Sequence, residues 1–405
     1  MSASKKLVPR RRFKGFEGAQ IWKQSYFLQV IIHIIDFRGR TPKKLGMDWS
    51  ECGFLALSAL NVKNGYIDFS ADAHYGDNNL YLKWMGGNEL RKGQVIFTTE
   101  APMGNVAQIP DDNGYILSQR TIAFEVNKSE ITDDFLAILL KSPSIYNSLL
   151  MMTSGGTAKG VSQKSLSTLK INLPSSITEQ TQIGEFFKKL DNLINTQQKK
   201  LEKAKTLKSA YLTEMFPSRG KLQPKLRFSG FKEDWNNKEL VQLLKYEQPT
   251  KYIVNNVDYN DAYKIPVLTA GKSFILGYTN EENNIYKANI NNPVFIFDDF
   301  TTLSHYVDFP FKVKSSAIKI LTLKNQNYNS VFVYYVLRNI MYVPQNHERH
   351  WISKFSKFEV SVTCEVEQQQ IGNFFKLLDN KIALEQKKLD KLKNIKQAYL
   401  NEMFV

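Results

Sequence analysis

Shifted against itself by 188 positions, the chain lays Glu179–Phe216 on Glu367–Phe404 without a gap. Identity holds at 25 of those 38 positions, including Gln-Ile-Gly, Phe-Phe-Lys and Leu-Asp-Asn, a density that duplication produces and chance does not. Any fold for this chain must accommodate one long segment twice, ending once as AYLTEMFP in the middle and once as AYLNEMFV at residue 405.

Both copies predict long helices. Past Gly184 and Gly372 neither contains proline or glycine, and both are rich in Lys, Glu, Gln, Leu and Ala. Apolar residues recur at steps of three, four or seven: Ile183, Phe187, Leu190, Ile194, Leu201, Ala204, Leu207, Tyr211 and Met215, then Ile371, Phe375, Leu378, Ile382, Leu389, Leu392, Ile395, Tyr399 and Met403. That spacing stacks one apolar stripe on each helix, as at a coiled-coil or bundle seam. At ~1.5 Å per residue each helix reaches roughly 55 Å. Matched helices of that length are expected to pair with each other, antiparallel.

The flanking sequence repeats more loosely. Pro9-Arg-Arg-Arg-Phe13-Lys-Gly15-Phe16 followed by Trp22 opens the first half. Pro224-Lys-Leu-Arg-Phe228-Ser-Gly230-Phe231 followed by Trp235 opens the second. Val95–Thr99 resembles Phe295–Asp299, and Ser118–Ile122 resembles Ser315–Ile318. Short alternating strands mix with helical runs at Asp133–Leu140 and Val331–Arg338, so both domains are expected to be α+β. The division expected is a first globular domain over residues 1–177, a central helix and linker over 178–222, a second domain over 223–365 and a terminal helix over 366–405. Run end to end, domain–helix–domain–helix is nearly circular, and antiparallel helices predict a pseudo-twofold molecule.

At 405 residues the chain exceeds one ordinary core, and 42% hydrophobic residues suffice for packed interiors. The net charge of +15 favours a polyanionic partner, nucleic acid before an anionic membrane. Each repeated helix carries seven Lys against five acids, so +11 falls on the globular parts and linkers, where phosphate would be gripped. No signal-peptide core follows the basic start, and the most apolar stretch, Tyr26–Ile35, is about half the ~20 residues of a membrane span. Cys52 and Cys364 alone make neither a disulfide framework nor a zinc site, pointing to the cytoplasm, and each is expected to be a small buried hydrophobe.

Catalytic motifs are missing from the sequence. Asn292-Pro293-Val294-Phe295 lacks the second proline and the glycine loop of an adenine methyltransferase. Pro110-Asp111 is followed by Glu125-Val-Asn-Lys128, one residue too long for the common metal-dependent nuclease pattern, and no P-loop is present. His347-Glu348-Arg349-His350-Trp351 spaces its histidines by three, not the four of a zinc helix, and reads either as a plain surface loop or as a basic, aromatic-tipped loop touching nucleic acid. No catalytic, cofactor or metal residue is assigned. Base reading calls for Arg or Lys at guanine and Asn or Gln at adenine. Candidate contacts are Arg38, Arg40, Thr41, Lys43, Lys63, Asn64, Thr98, Thr99, Gln119, Arg120, Thr157 and Lys159 in the first domain. In the second they are Lys272, Ser273, Thr301, Thr302, His305, Lys314, Ser315, His347, Arg349, His350 and Trp351.

With its paired P-x-x-R-F-x-G-F openings, its Arg38-Gly-Arg-Thr-Pro42 and the Glu-Gln-x-Gln-Ile-Gly leading each helix, the whole chain resembles the specificity subunit of type I restriction-modification systems. The resemblance implies two target recognition domains, each reading half of a split, asymmetric double-stranded DNA sequence. It implies two helices that act as spacer and docking surface for two methyltransferase subunits, joined by restriction-translocase subunits. S-adenosylmethionine, ATP and Mg would belong to those partners, with no cofactor in this chain and no membrane association. A structural coiled-coil bridge and a self-contained methyltransferase or nuclease are the alternatives. The first would show no sequence-dependent DNA binding, and the second would methylate or cut DNA alone.

Overall fold

The computed structural model describes residues 7–153, 160–270, 273–342 and 350–405. The chain divides into two compact units, Met1–Gln198 with Lys387–Val405, and Lys199–Gln386. The repeated segments form two helices, Ile177–Glu214 and Glu365–Met403, and each helix contributes to both units.

In the first unit a four-stranded antiparallel sheet runs in the order Ile31–Asp36, Thr121–Val126, Val95–Thr98, Val106–Gln108. Strand alternation decides which face each residue serves. Val95, Phe97, Ile122 and Phe124 pack on the helix Asp133–Leu139, whereas Ile96, Ala107 and Ala123 pack on Leu55, Leu57 and Trp84 behind the sheet. The second unit repeats the plan with Leu244–Glu247, Ile318–Leu323, Val294–Asp298 and Ser304–Val307. Phe295, Phe297 and Leu321 face the helix Ser330–Arg338, and Val294, Ile296, Ile318 and Ile320 face a smaller cluster with Leu268 and Phe311.

Within each unit the two long helices run antiparallel. Phe186 meets Tyr399 edge-on at 4.9 Å in the first unit while Asp191, five residues on, takes the ammonium of Lys396, three residues back. The matched residues of the second unit do the same: Phe374 meets Tyr211 at 4.9 Å, and Asp379 takes Lys208.

The two short motifs meet in a socket that appears once per unit. The arginine of the opening frame grips the first glutamate of the helix motif: Arg12 with Glu179 at 2.6 and 2.7 Å, Arg227 with Glu367 at 2.6 and 2.8 Å. Both glutamates are buried, so the bidentate pairing offsets their desolvation. The next residue, Gln180, accepts from the Thr132 N–H and donates to the Glu130 carbonyl; Gln368 accepts from the Asn329 N–H. Ile183 and Ile371 enter the cores. The glycine is dictated by close approach: a Cβ on Gly184 would stand 2.6 Å from Asp134 Cβ, and one on Gly372 1.9 Å from Asn329 Oδ1. Every named residue of Glu-Gln-x-Gln-Ile-Gly except the second glutamine thus seats a globular layer on its helix.

The far end of the other helix closes the same socket. Phe404 packs on Trp22, Phe135 and Phe187 at 6.0, 5.7 and 6.0 Å. Phe216 packs on Trp235, Phe332 and Phe375 at 6.0, 5.6 and 5.8 Å. The Arg11 N–H donates to the Glu402 carbonyl at 2.9 Å, as the Leu226 N–H does to Glu214. The segment at residue 402 therefore lies against the opening frame of the first unit just as the mid-chain segment lies against that of the second.

Lys141 sits in the first unit where the globular layer meets the helix pair. Its side chain is 7% exposed, with the Asp191 carboxylate 3.8 Å away. Burial pulls the ammonium down to about 8, Asp191 opposing the shift and Lys396 adding to it. An unfolded lysine titrates near 10.4, so between those values the folded chain binds fewer protons and gains stability as pH rises. The thermal midpoint of the wild-type chain should therefore climb relative to that of Lys141→Met between about pH 8 and pH 10. A constant difference across that range would show that burial does not govern the amine.

Two expectations need correction. Cys52 and Cys364 are exposed, because one lies in a bend and the other at the entrance to the terminal helix instead of in a core. Leu207 is 42% exposed despite its place in the apolar spacing. The seam there narrows, with Leu201, Ala204 and Met215 buried around it and Ile194, Tyr211, Leu378, Ile382, Leu392, Ile395 and Tyr399 half-buried. Phe187, Leu190, Ile371, Phe375, Leu389 and Met403 are buried.

Candidate nucleic-acid interface

In the first unit, strand pairing gathers polar groups at one end of the central sheet. Asp36 closes the Ile31–Asp36 strand opposite Ile122, and Thr121 stands opposite Thr98. Arg38 and Arg120, which follow or precede these strands, are both exposed there. Arg38 donates from Nε to both Asp36 oxygens at 2.9 Å and from Nη2 to Oδ2 at 2.5 Å. Gln163 adds a hydrogen bond to Asp36 Oδ2 at 2.9 Å. Burial would raise the Asp36 carboxyl, but hydrogen bonds from Arg38 and Gln163 and the Arg38 charge hold it below the ordinary carboxylate range. Arg120, at φ +64°, approaches Glu100 at 3.4 Å, and both side chains are more than 40% exposed. A surface pair of that kind contributes little and leaves the guanidinium available. Gln119 beside it is exposed as well.

Other candidates take different places. Arg40 turns inward, its guanidinium 4.3 Å over Phe37 and donating to the Trp84 carbonyl. Thr41 accepts the Lys44 N–H to start the turn that exposes Lys43. Lys63 is half-buried at the end of a two-residue strand, and exposed Asn64 lines a groove of about 560 Å³ with Lys141, Asp191 and Lys396. Thr98 and Thr99 are buried, not exposed as a base-reading position would be. The Thr98 hydroxyl donates to Pro102 O and accepts the Asn105 N–H, fixing the hairpin that carries Glu100. Thr157 and Lys159 lie outside the described residues.

The matching end of the second unit is built differently. Asp298 caps the hairpin, accepting from the Phe300 and Thr301 N–H groups and the Thr301 hydroxyl, while Thr302 stands at φ +62° and Phe300 is 38% exposed. His305 stacks on Phe274 at 3.9 Å, and burial, then the Arg338 charge, lowers its pKa against the opposing Asp298. Lys314 lies 5.6 Å over Tyr259, and the Ser315 hydroxyl accepts the Ala317 N–H. Ser273 is exposed. Lys272, His347 and Arg349 lie outside the described residues.

His350 and Trp351 correct the reading of an aromatic-tipped loop, since both are buried. Trp351 packs on Phe297 at 5.3 Å, because a large apolar ring gains more from that core than from water. Their N–H groups donate to Asp299, which also pairs with Lys319 at 3.1 Å, both charges being fully buried. Lys319 Nζ donates to Gln248 at 3.0 Å. Sequence reasoning missed Asp36, Glu100 and Gln163. Only Asp36, two residues ahead of Arg38, carried a local signal, the Asx turn in which its side chain takes the Arg38 N–H at 3.0 Å.

Among the described residues no cluster of His, Cys, Asp or Glu is placed to hold a metal ion, and no helix is long and apolar enough to cross a membrane. Residues 52–206 and 232–394 match the family model for the type I restriction modification DNA specificity domain. The chain is 51% identical over 128 residues to the type I restriction enzyme EcoR124I/EcoR124II specificity subunit of Escherichia coli, a match spanning 31% of each chain. Its fold is that of the type I restriction-modification S subunit from M. genitalium, with TM-score 0.68 and 16% identity over 98% of this chain and 99% of that one. A chain from a structural study of type I restriction-modification complex assembly and conformational transition aligns with TM-score 0.50 and 15% identity, covering 95% and 97%.

Proposed function

Since the chain belongs to the type I restriction-modification DNA specificity domain family, we propose that it is the specificity subunit of such a complex. Each unit presents the described end of its sheet to one half of a split, asymmetric DNA site. The two long helices set the spacing and dock two methyltransferase subunits, which carry S-adenosylmethionine, and restriction-translocase subunits using ATP and Mg join them in the cytoplasm. This chain contributes recognition rather than catalysis.

One observation carries the reading. The socket is the same in both units, down to the Arg–Glu clamp, the glutamine, the glycine and the terminal phenylalanine, whereas the exposed sheet ends differ in chemistry, with Arg38, Arg120 and Glu100 in one and Phe300 and Thr301 in the other. A common mount with two unlike surfaces suits a protein that reads two unlike half-sites. Exchanging residues 1–175 for the matching segment of another specificity subunit, with the Trp22 and Phe135 positions kept aromatic to receive Phe404, should change one half of the methylated motif. Mapping methylated adenines in cells carrying each version checks this. A change in both halves would overturn modular reading, and the absence of any split motif would overturn the function.

A further inference from the structure

The first unit carries at its exposed sheet end an arginine that is both fixed and open. Asp36 takes the Nε edge of Arg38 and one hydrogen of Nη2. Asp36 is itself pinned by Gln163 and by the Arg38 N–H. Of the remaining hydrogens, one on Nη1 and one on Nη2 point end-on from the guanidinium while the second Nη1 hydrogen lies on the Cδ side, and no hydrogen bond joins them to a described residue. With its side chain 32% exposed, Arg38 can meet a ligand without leaving Asp36.

Two parallel donors presented end-on are what guanine takes through O6 and N7 in the major groove. A carboxylate on the inner edge removes rotamer freedom before binding, so less is lost when the contact forms. The neighbouring arginines lack one or the other property. Arg40 is turned onto Phe37 and Trp84, and Arg120 is held only by a loose surface pair. In the second unit the place of Asp36 is taken by Gln248, which meets Lys319, and Thr250 stands two residues on. That unit has no buttressed arginine there.

Resting on the specificity reading above, we infer that Arg38, oriented by Asp36, reads a guanine in the half-site of the first unit, and that the second unit has no counterpart to this contact. A phosphate oxygen also accepts an arginine fork, so the test must separate base reading from charge. Adenine methylation is mapped in cells carrying the assembled complex with the wild-type chain, Arg38→Ala, Arg38→Lys or Asp36→Asn, and the salt dependence of DNA binding is measured for each complex.

Arg38→Ala should lose preference at one guanine of one half-site, roughly 10- to 100-fold against other bases, and Arg38→Lys should lose part of it. The other half-site should stay unchanged. Arg38→Lys keeps the charge but not the planar fork fixed by Asp36, and since lysine also reaches guanine O6 and N7 it should keep the wild-type salt slope with a reduced preference at that position. It also carries the test if the alanine variant fails to assemble. Asp36→Asn should weaken the same position by a smaller factor. Uniform weakening on all sequences with a shallower salt slope would mark a phosphate contact and overturn the inference, as would an unchanged motif. A wild-type complex with no split motif would overturn the specificity reading itself and this inference with it.

Discussion

Replacing Phe404 with alanine should release the end of the terminal helix from the first unit. The ring is 8% exposed and packs on Trp22, Phe135 and Phe187. Truncating a buried phenylalanine costs about 3–5 kcal/mol, comparable to the stability that holds a small unit together. Hydrogen exchange on the full-length chain is the direct measurement. Amides over residues 395–405 and around Trp22 should lose protection in Phe404→Ala, while those over 204–216 keep theirs. Phe216→Ala should produce the mirror result, exposing 204–216 and the neighbourhood of Trp235. Equal loss at both places in either variant would mean that the two sockets are not independent, and no loss would mean that the phenylalanines do not hold the helix ends.

Asp299→Ala should destabilise the second unit by about 3–5 kcal/mol, because it strands the Lys319 ammonium without its ion partner in a fully buried site. It also deprives the Trp351 N–H of its acceptor. The first unit shows how the position is filled without charge. Thr99 stands where Asp299 does, and Ile122 faces Phe97 across the sheet as Lys319 faces Phe297. Asp299→Thr combined with Lys319→Ile should therefore recover most of the loss, since replacing a buried ion pair by groups that pack is close to neutral. Chemical denaturation of the wild type, the single variant and the double variant checks this. A double variant as unstable as the single one would mean that the ion pair is required for more than its own desolvation.

Much of the scaffold was legible because it is local. The 3.6-residue spacing marks both helices without knowledge of any neighbour, and near-identity of the copies implies that they meet similar surroundings. The strands Val95–Thr98 and Val294–Asp298 were legible as two similar short apolar runs, buried on both faces. The socket was half legible. Both motifs could be seen, but not that Arg12 answers Glu179, 167 residues away, or that Gly184 is needed to admit Asp134.

The proposed reading surface was the least legible. Arg38, Arg40 and Arg120 look alike as letters, and contacts with remote residues divide them into a buttressed fork, an inward-turned support and a loosely paired surface charge. Trp351 sits among polar residues in sequence, yet Phe297 and Asp299 draw it into the core. What the sequence by itself determined is duplication, helix length, seam and class of partner, all of which follow from periodicity and charge along the chain. Which side chains remain open to solvent was decided only by the tertiary structure, because burial and hydrogen-bond partnership depend on residues far apart in sequence that the sheet and socket bring together.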